Sequence, residues 1–312
     1  MNERAAPLPL PWLDRRGAFS PLKAAVFALV LAPGLWLLWR AASGTLGPRA
    51  MIEINHQTGL WAVRFLLLTL AVTPLRYIWR WPELIFTRRT LGVSVFAYAA
   101  IHLVAYAGDL GWNVPKVISE IFARPYLTIG FAALLMLVPL AITSTNGMMK
   151  RLGGLQWRAL HRLTYPIVAL AALHFFLQSK LGVTEPIVIA ALAVWLGLWR
   201  LLAARIGEQR AGSLAVTLAL AATIVVATAL GEALYYYLKL GVPFSRVLPT
   251  NFAWKSGIRP AWIVLGIALI VSAVALVRGR IEARAPRRSG RAQAGSAVKP
   301  ASPGAQRQGK AA

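Results

Sequence analysis

The sequence has 312 residues, of which 58% are hydrophobic and only 14% are charged. Soluble domains are about half apolar and about a quarter charged, so this composition predicts an integral membrane protein. The chain contains no cysteine, which excludes disulfides, thiolate metal sites, iron–sulfur clusters and covalently attached c-type haem.

The net charge of +24 raises the question of nucleic-acid binding, but the distribution of the charge argues against it. Most of the 34 Lys and Arg residues flank apolar segments or lie in the segment 278–312. This pattern is typical of membrane topology and of contacts with anionic lipid headgroups. We therefore expect the lipid bilayer, and no nucleic acid, as the partner of the basic residues.

Apolar segments of the length that a membrane helix needs recur along the chain. They predict an all-α, polytopic bundle of about eight transmembrane helices. A signal peptide is the alternative for the first segment, but its apolar run is longer than a usual signal core and Arg40 interrupts the cleavage zone. The predicted spans are Leu22–Trp39, Gly59–Arg76, Leu91–Ala107, Tyr126–Thr143, Gly154–Gln178, Pro186–Leu202, Ser213–Leu240 and Ala261–Val277.

The basic residues also predict the orientation of the bundle. Most of them fall on the inner side if the N-terminus is cytoplasmic, which places both termini in the cytoplasm. We divide the chain into an N-terminal segment (1–21), a transmembrane core (22–206), an additional pair of helices (207–280) and a basic tail (281–312). The tail is rich in Arg, Ala, Pro, Gly and Ser, and such a segment cannot bury enough apolar surface to fold.

Three of the four histidines lie in or beside predicted spans, where an ionisable side chain marks a candidate functional site. If odd-numbered helices run outward, His102 and His174 lie at one depth, roughly 6–8 Å below the outer ends of their helices. Two imidazoles so placed can bind opposite faces of one haem iron, as in a b-type cytochrome. The same positions suit histidines that hydrogen-bond to neighbouring helices, and spacing alone does not separate the two.

Other polar residues near these helices leave several roles open. His161 faces a different side of a straight helix from His174, although Pro166 between them can kink the helix. His161 can bind a second haem with a non-histidine partner, contact a quinone headgroup, or be a hydrogen-bonded interfacial histidine. Arg64 can pair with a haem propionate or extend to the interface. The outer acidic residues, which can steer a partner protein, are Glu53, Asp109, Glu120 and Glu185.

Four stretches between residues 58 and 176 carry motifs that resemble a known family. They are TGLWAVRFLLLTLAVTPLR at 58–76, TRRTLGVSVFAYAAIHLVAY at 87–106, RPYLTIG at 124–130, and the run 143–176, which contains WRALHRLTYPIVALAALHFF. In order and spacing they resemble the MsrQ (YedZ) family. Its members are haem-binding membrane subunits of periplasmic methionine sulfoxide reductase systems, within the ferric-reductase-like transmembrane group. The resemblance covers about residues 58–202.

The resemblance implies a b-type cytochrome of the bacterial inner membrane. It would take electrons from the quinone pool and pass them to a soluble periplasmic molybdenum-cofactor (molybdopterin) reductase, which repairs methionine sulfoxide in proteins. The chain would be the electron-transfer subunit and not the catalytic subunit. The family's three intramembrane histidines map onto His102, His161 and His174. FMN is also associated with the family, but no residue here identifies its site.

The C-terminal third departs from the family pattern, because family members commonly end after six helices. The role of residues 207–312 is therefore open. Two other functions also stay open: the membrane component of a ferric or other metal reductase that uses the same haem, and a haem-free transporter.

Overall fold

The computed structural model describes residues 10–14, 16–179, 182–253, 255 and 257–284. This part of the chain forms twelve α-helices and two short 3-10 helices. Eight of its helical segments are long and apolar enough to cross a membrane. The predicted all-α, polytopic bundle is thereby confirmed. The predicted basic tail lies outside the described residues from residue 285 onward.

Each predicted span corresponds to a membrane-length segment, but most observed helices are longer than predicted. For example, α2 begins at Ala50 and not at Gly59, because residues that include polar ones extend the helix on the N-terminal side of the apolar run. The helices are α1 (Pro21–Ala42), α2 (Ala50–Ile78), α3 (Arg88–Asp109), α4 (Val114–Ala123), α5 (Pro125–Ile142), α6 (Asn146–His161), α7 (Thr164–Gln178), α8 (Thr184–Ile206), α9 (Glu208–Ala211), α10 (Leu214–Leu240), α11 (Phe244–Val247) and α12 (Pro260–Arg284).

The predicted fifth helix, residues 154–178, is divided in the structure. α6 ends at His161, and α7 begins at Thr164 after a short turn. Pro166 lies in the first turn of α7, where its missing N–H removes no helical hydrogen bond. α6 is itself interrupted at Gly153, which has a φ of 73° that only glycine adopts readily. The two histidines predicted on one helix therefore lie on different helices.

The centre of the bundle is α2, which packs against α1, α3, α7, α8 and α12. Phe65 of α2 is completely buried, and its ring meets the edge of Tyr98 of α3 at 5.2 Å between centroids. Ile167 of α7 is buried in the same apolar cluster. α5 packs against both α3 and α7. The helices α2, α3, α5 and α7 thus surround one part of the core.

The C-terminal helices form a second group. α8 packs against α7 and α2 on one side and against α10 and α12 on the other. Trp195, Ile224 and Val264 are the buried residues at the centre of this group. The sequence did not predict α4, which joins α3 to α5. α4 is amphipathic: it buries Val117 and Ile121 and leaves Phe122 exposed, as expected for a helix that lies at a membrane surface.

Candidate functional site

His102 of α3 and His174 of α7 face each other within the part of the core that α2, α3, α5 and α7 surround. Their ring centroids are 6.2 Å apart and their planes make an angle of 83°. A metal–imidazole bond of about 2 Å, with about 1.1 Å from the nitrogen to the ring centre, puts two rings roughly 6 Å apart across one metal ion. The structure therefore brings together the two histidines of the sequence-based prediction, at a separation that suits one iron.

Both histidines are oriented by a backbone carbonyl of a neighbouring helix. His102 Nδ1 lies 2.8 Å from the carbonyl oxygen of Asn55 on α2, and His174 Nδ1 lies 2.7 Å from that of Tyr126 on α5. A carbonyl only accepts, so each Nδ1 carries the proton and each Nε2 keeps its lone pair. This is the tautomer in which histidine binds a metal through Nε2 while its other nitrogen is held by a hydrogen bond.

A glycine makes room for each ring. Gly59 lies one helical turn after Asn55, and a Cβ there would be 2.8 Å from His102 Nδ1. Gly130 lies one turn after Tyr126, and a Cβ there would be 2.7 Å from His174 Nδ1. Such separations are well inside van der Waals contact. We call this arrangement the carbonyl–glycine cradle: an accepting carbonyl at one position and a glycine four residues later, facing a histidine of the next helix.

The set of donor atoms fits a haem better than a bare metal ion. The described residues contain no group of three or more His, Cys, Asp or Glu side chains that could hold a metal. Sites for bare metal ions usually draw at least three ligands from the protein. Two imidazoles on opposite sides suit an iron whose equatorial positions are filled by a porphyrin. His102 and His174 therefore fit the axial positions of a bis-histidine haem.

His161 is not brought to the other two histidines. Its ring stacks on Trp157 with 3.8 Å between centroids, and its Nδ1 lies 3.0 Å from the Trp157 carbonyl oxygen. Its Nε2 is buried and has no hydrogen-bond partner in the described part of the chain. Like the paired histidines, His161 thus presents a lone pair on Nε2. The predicted roles of His161, including second haem ligation, stay predictions.

Arg64 also lies apart from the two facing rings. Its guanidinium pairs with Glu185 of α8 at 3.0 Å and lies over the Trp61 ring. Five residues separate it from Gly59, which puts the two on faces of α2 about 140° apart. The predicted contact with a haem propionate stays a prediction. His56 is exposed on α2.

All four outer acidic residues have arginine partners. Asp109 pairs with Arg49 at 3.2 Å and Glu185 pairs with Arg64. Glu53 pairs with Arg40, and Glu120 pairs with Arg124. The four residues that the sequence offers for steering a partner thus lie in local ion pairs, and the steering role stays a prediction.

The fold and the facing histidines define a class of protein, the polytopic α-helical membrane proteins with a paired-histidine site. The family described as "Ferric reductase like transmembrane component" matches residues 58–172, which include His102 and end two residues before His174. No solved structure is significantly similar to the chain.

Curated relatives define the family more closely. A protein of Xanthomonas euvesicatoria pv. vesicatoria is 48% identical over 193 residues, which are 59% of this chain and 88% of that protein. A Caulobacter vibrioides protein is 42% identical over 176 residues, 56% of this chain and 84% of that protein. Both are named "Protein-methionine-sulfoxide reductase heme-binding subunit MsrQ". The chain belongs to the MsrQ family.

Proposed function

We propose that this protein is a membrane b-type cytochrome that passes electrons from the quinone pool to a soluble periplasmic reductase with a molybdenum cofactor, which repairs methionine sulfoxide in proteins. The observation that carries the proposal is the pair His102 and His174, whose ring centroids are 6.2 Å apart. Nδ1 of each ring is hydrogen-bonded to a backbone carbonyl of a neighbouring helix. The names of the relatives support the same function.

The two imidazoles determine the type of chemistry. A haem b held by both histidines would supply one-electron transfer. The protein itself holds the rings at fixed separation through the two carbonyl–glycine cradles, which lowers the cost of ordering the ligands when the haem binds. This arrangement suits an electron-transfer subunit rather than the catalytic subunit.

The complete reaction would balance without another reactant. A quinol gives up two electrons and two protons, and a sulfoxide takes up two electrons and two protons to become a thioether and water. The first half belongs to this membrane subunit and the second half to its soluble partner. A second haem at His161 is a further proposal, for which the buried, unpaired Nε2 of His161 is the supporting observation. FMN is also proposed, on the resemblance to the family alone.

The proposal includes a division of the chain and a location. Residues 22–206 would form the haem-binding core in the bacterial inner membrane, and residues 207–280 would add a second pair of helices. With both termini cytoplasmic, the facing histidines lie near the outer surface. Electrons could then leave towards a docked periplasmic protein.

Reconstitution tests the proposal directly. The purified protein in lipid nanodiscs should show a haem spectrum that a quinol reduces, and the haem should be reoxidised when a periplasmic molybdenum reductase and methionine sulfoxide are added together. Omission of either should leave the haem reduced. Reoxidation by ferric chelates alone, with no response to the reductase and sulfoxide, would favour the metal-reductase alternative instead.

A further inference from the structure

A long apolar groove runs along α2, α8 and α12, on the side of α2 that faces away from His102. Its volume is about 620 Å³. Along α2 it extends from Leu60 to Trp79, the residue that follows the helix, a length of roughly 28 Å at the rise of an α-helix. This is close to the thickness of the hydrocarbon core of a bilayer. The groove therefore has the dimensions of an extended hydrocarbon chain.

The charged residues of the lining lie at one end of the groove. Among the described residues that line it, only Arg64 and Glu185 are charged; Arg278, which bonds to the Trp79 carbonyl at the other end, is not part of the lining. Their side chains are 38% and 53% exposed and form an ion pair at 3.0 Å, with the Arg64 guanidinium 4.9 Å from the centre of the Trp61 ring. The rest of the lining is apolar and includes Trp195 and Trp199. A ligand that fits has one small polar end and a long apolar tail.

The charge balance indicates which kind of amphiphile fits best. Because Glu185 already neutralises Arg64, the polar end offers a hydrogen-bond donor and an acceptor but no net positive charge. At this end of the groove, an anionic phospholipid headgroup would bring a negative charge that the neutral Arg64–Glu185 pair does not balance. A neutral ring with hydroxyl or carbonyl oxygens can bond to both members of the pair, since a carboxylate accepts from a hydroxyl and a guanidinium donates to a carbonyl.

We propose that this groove binds a long-chain quinol, with the quinol ring at the Arg64–Glu185 pair and the isoprenoid tail along α2, α8 and α12. This inference rests on the proposed function, in which a quinol is the electron donor, and it assigns that donor a place. Gly59, which contacts His102, lies five residues before Arg64, about 7.5 Å along the axis of α2. The bound ring and the facing histidines are thus on opposite sides of one helix and at similar depth.

The proposal also gives α12 a role. Ile263, Ile267 and Val271 of α12 form one wall of the groove. Without this wall, the surfaces of α2 and α8 would be open to lipid. The C-terminal helices would therefore complete the quinol site rather than merely extend the bundle.

Photolabelling of the full-length protein in nanodiscs tests the site. The probes are photoreactive ubiquinone and menaquinone analogues with long isoprenoid tails, and the labelled peptides are mapped by mass spectrometry. We expect labels on α2, α8 and α12 along the groove, competed by unlabelled long-chain quinone and not by phosphatidylglycerol. Labels elsewhere, or equal competition by the phospholipid, would overturn the proposal and indicate a groove for ordinary lipid.

Variants that fill the groove add a second test. Ala71→Phe should lower probe affinity by about tenfold or more, which corresponds to about 1.4 kcal/mol, and Ile267→Phe serves the same purpose if Ala71→Phe fails to fold. Ile101→Phe is the matched control, because Ile101 is 47% exposed on α3 and lies outside the groove. Unchanged labelling in the filled variants would contradict the site.

The haem spectrum of the same samples separates this inference from the proposed function. A normal low-spin haem spectrum without labelling of the groove overturns only the quinol site. Labelling of the groove in a protein that binds no haem overturns the cytochrome and leaves the quinol site in place.

Discussion

At the scale of single residues, the two glycines are as important to the site as the two histidines. A side chain at Gly59 or Gly130 would occupy space that an imidazole ring fills, with a Cβ 2.8 or 2.7 Å from Nδ1. The ring would have to move and give up its bond to the helix carbonyl. Because Nδ1 and Nε2 belong to one rigid ring, a shift at one nitrogen redirects the other.

We therefore predict that Gly59→Ala and Gly130→Ala weaken haem binding. Loss of a group that orients a metal ligand typically costs 10–100-fold in affinity, so a decrease of roughly tenfold is expected. Haem content per protein, measured by pyridine haemochromogen, gives the readout. Gly197→Ala on α8 is the control, because nothing lies within 4 Å of a Cβ placed there; an equal loss in all three variants would refute a specific role for the cradles.

At the scale of helices, α1 and α2 each contain a proline, and a side chain of another helix bonds to the backbone close to each proline. Pro74 in α2 leaves the Leu70 carbonyl without its helical donor, and Arg200 Nη2 of α8 donates to that oxygen at 2.5 Å. At Pro33 in α1, the Tyr98 hydroxyl accepts from the Gly34 N–H and donates to the Val30 carbonyl, both at 2.8 Å. Polar side chains thus compensate for helix defects within the membrane, as an unpaired carbonyl there is costly.

Arg200→Met should destabilise the protein by about 1–3 kcal/mol, since it leaves the Leu70 carbonyl without a donor. Arg200 also donates to the Leu196 carbonyl at 3.0 Å, so the variant loses a bridge between α2 and α8. Thermal unfolding in a mild detergent measures the effect. Arg205→Met, at an exposed position of the same helix, should cost much less, and equal losses would show that the effect comes from charge alone.

At the scale of the whole molecule, α12 is attached to the rest of the bundle near both of its ends. Near its start, Arg259 pairs with Glu232 of α10 at 3.2 Å, and Glu232 is only 1% exposed. Near its other end, Arg278 donates at 2.8 Å to the carbonyl of Trp79, the residue that follows α2. Since one wall of the proposed quinol groove belongs to α12, these attachments also fix the width of the groove.

Removing one partner of the buried Arg259–Glu232 pair should destabilise the protein more than removing both. Arg259→Met leaves the Glu232 carboxylate buried without its cation and should cost about 3–5 kcal/mol. The double variant with Glu232→Gln should recover most of this loss. Thermal unfolding again provides the measurement, with Arg246→Met as an exposed control; a double variant as unstable as Arg259→Met would contradict the account.

Much of this architecture could be predicted from the sequence, for identifiable physical reasons. Membrane spans follow from apolar length, and a histidine at membrane depth is conspicuous because it is costly. Helix ends and interhelical partners were harder to predict. The division at His161, the ion pairs of Glu185 and Asp109, and the contact of each histidine with a glycine depend on how helices pack. The spacing of four residues from Asn55 to Gly59 is too common in sequences to signal a cradle by itself.

The measurement that tests the central claim most directly is the spectrum of the purified protein and of three alanine variants. The protein should show the optical and electron paramagnetic resonance signals of a low-spin haem with two imidazole ligands. His102→Ala and His174→Ala should each abolish that signal, added imidazole should restore it, and His56→Ala should leave it intact. An unchanged low-spin signal in either His102→Ala or His174→Ala would show that the replaced residue is not an axial ligand.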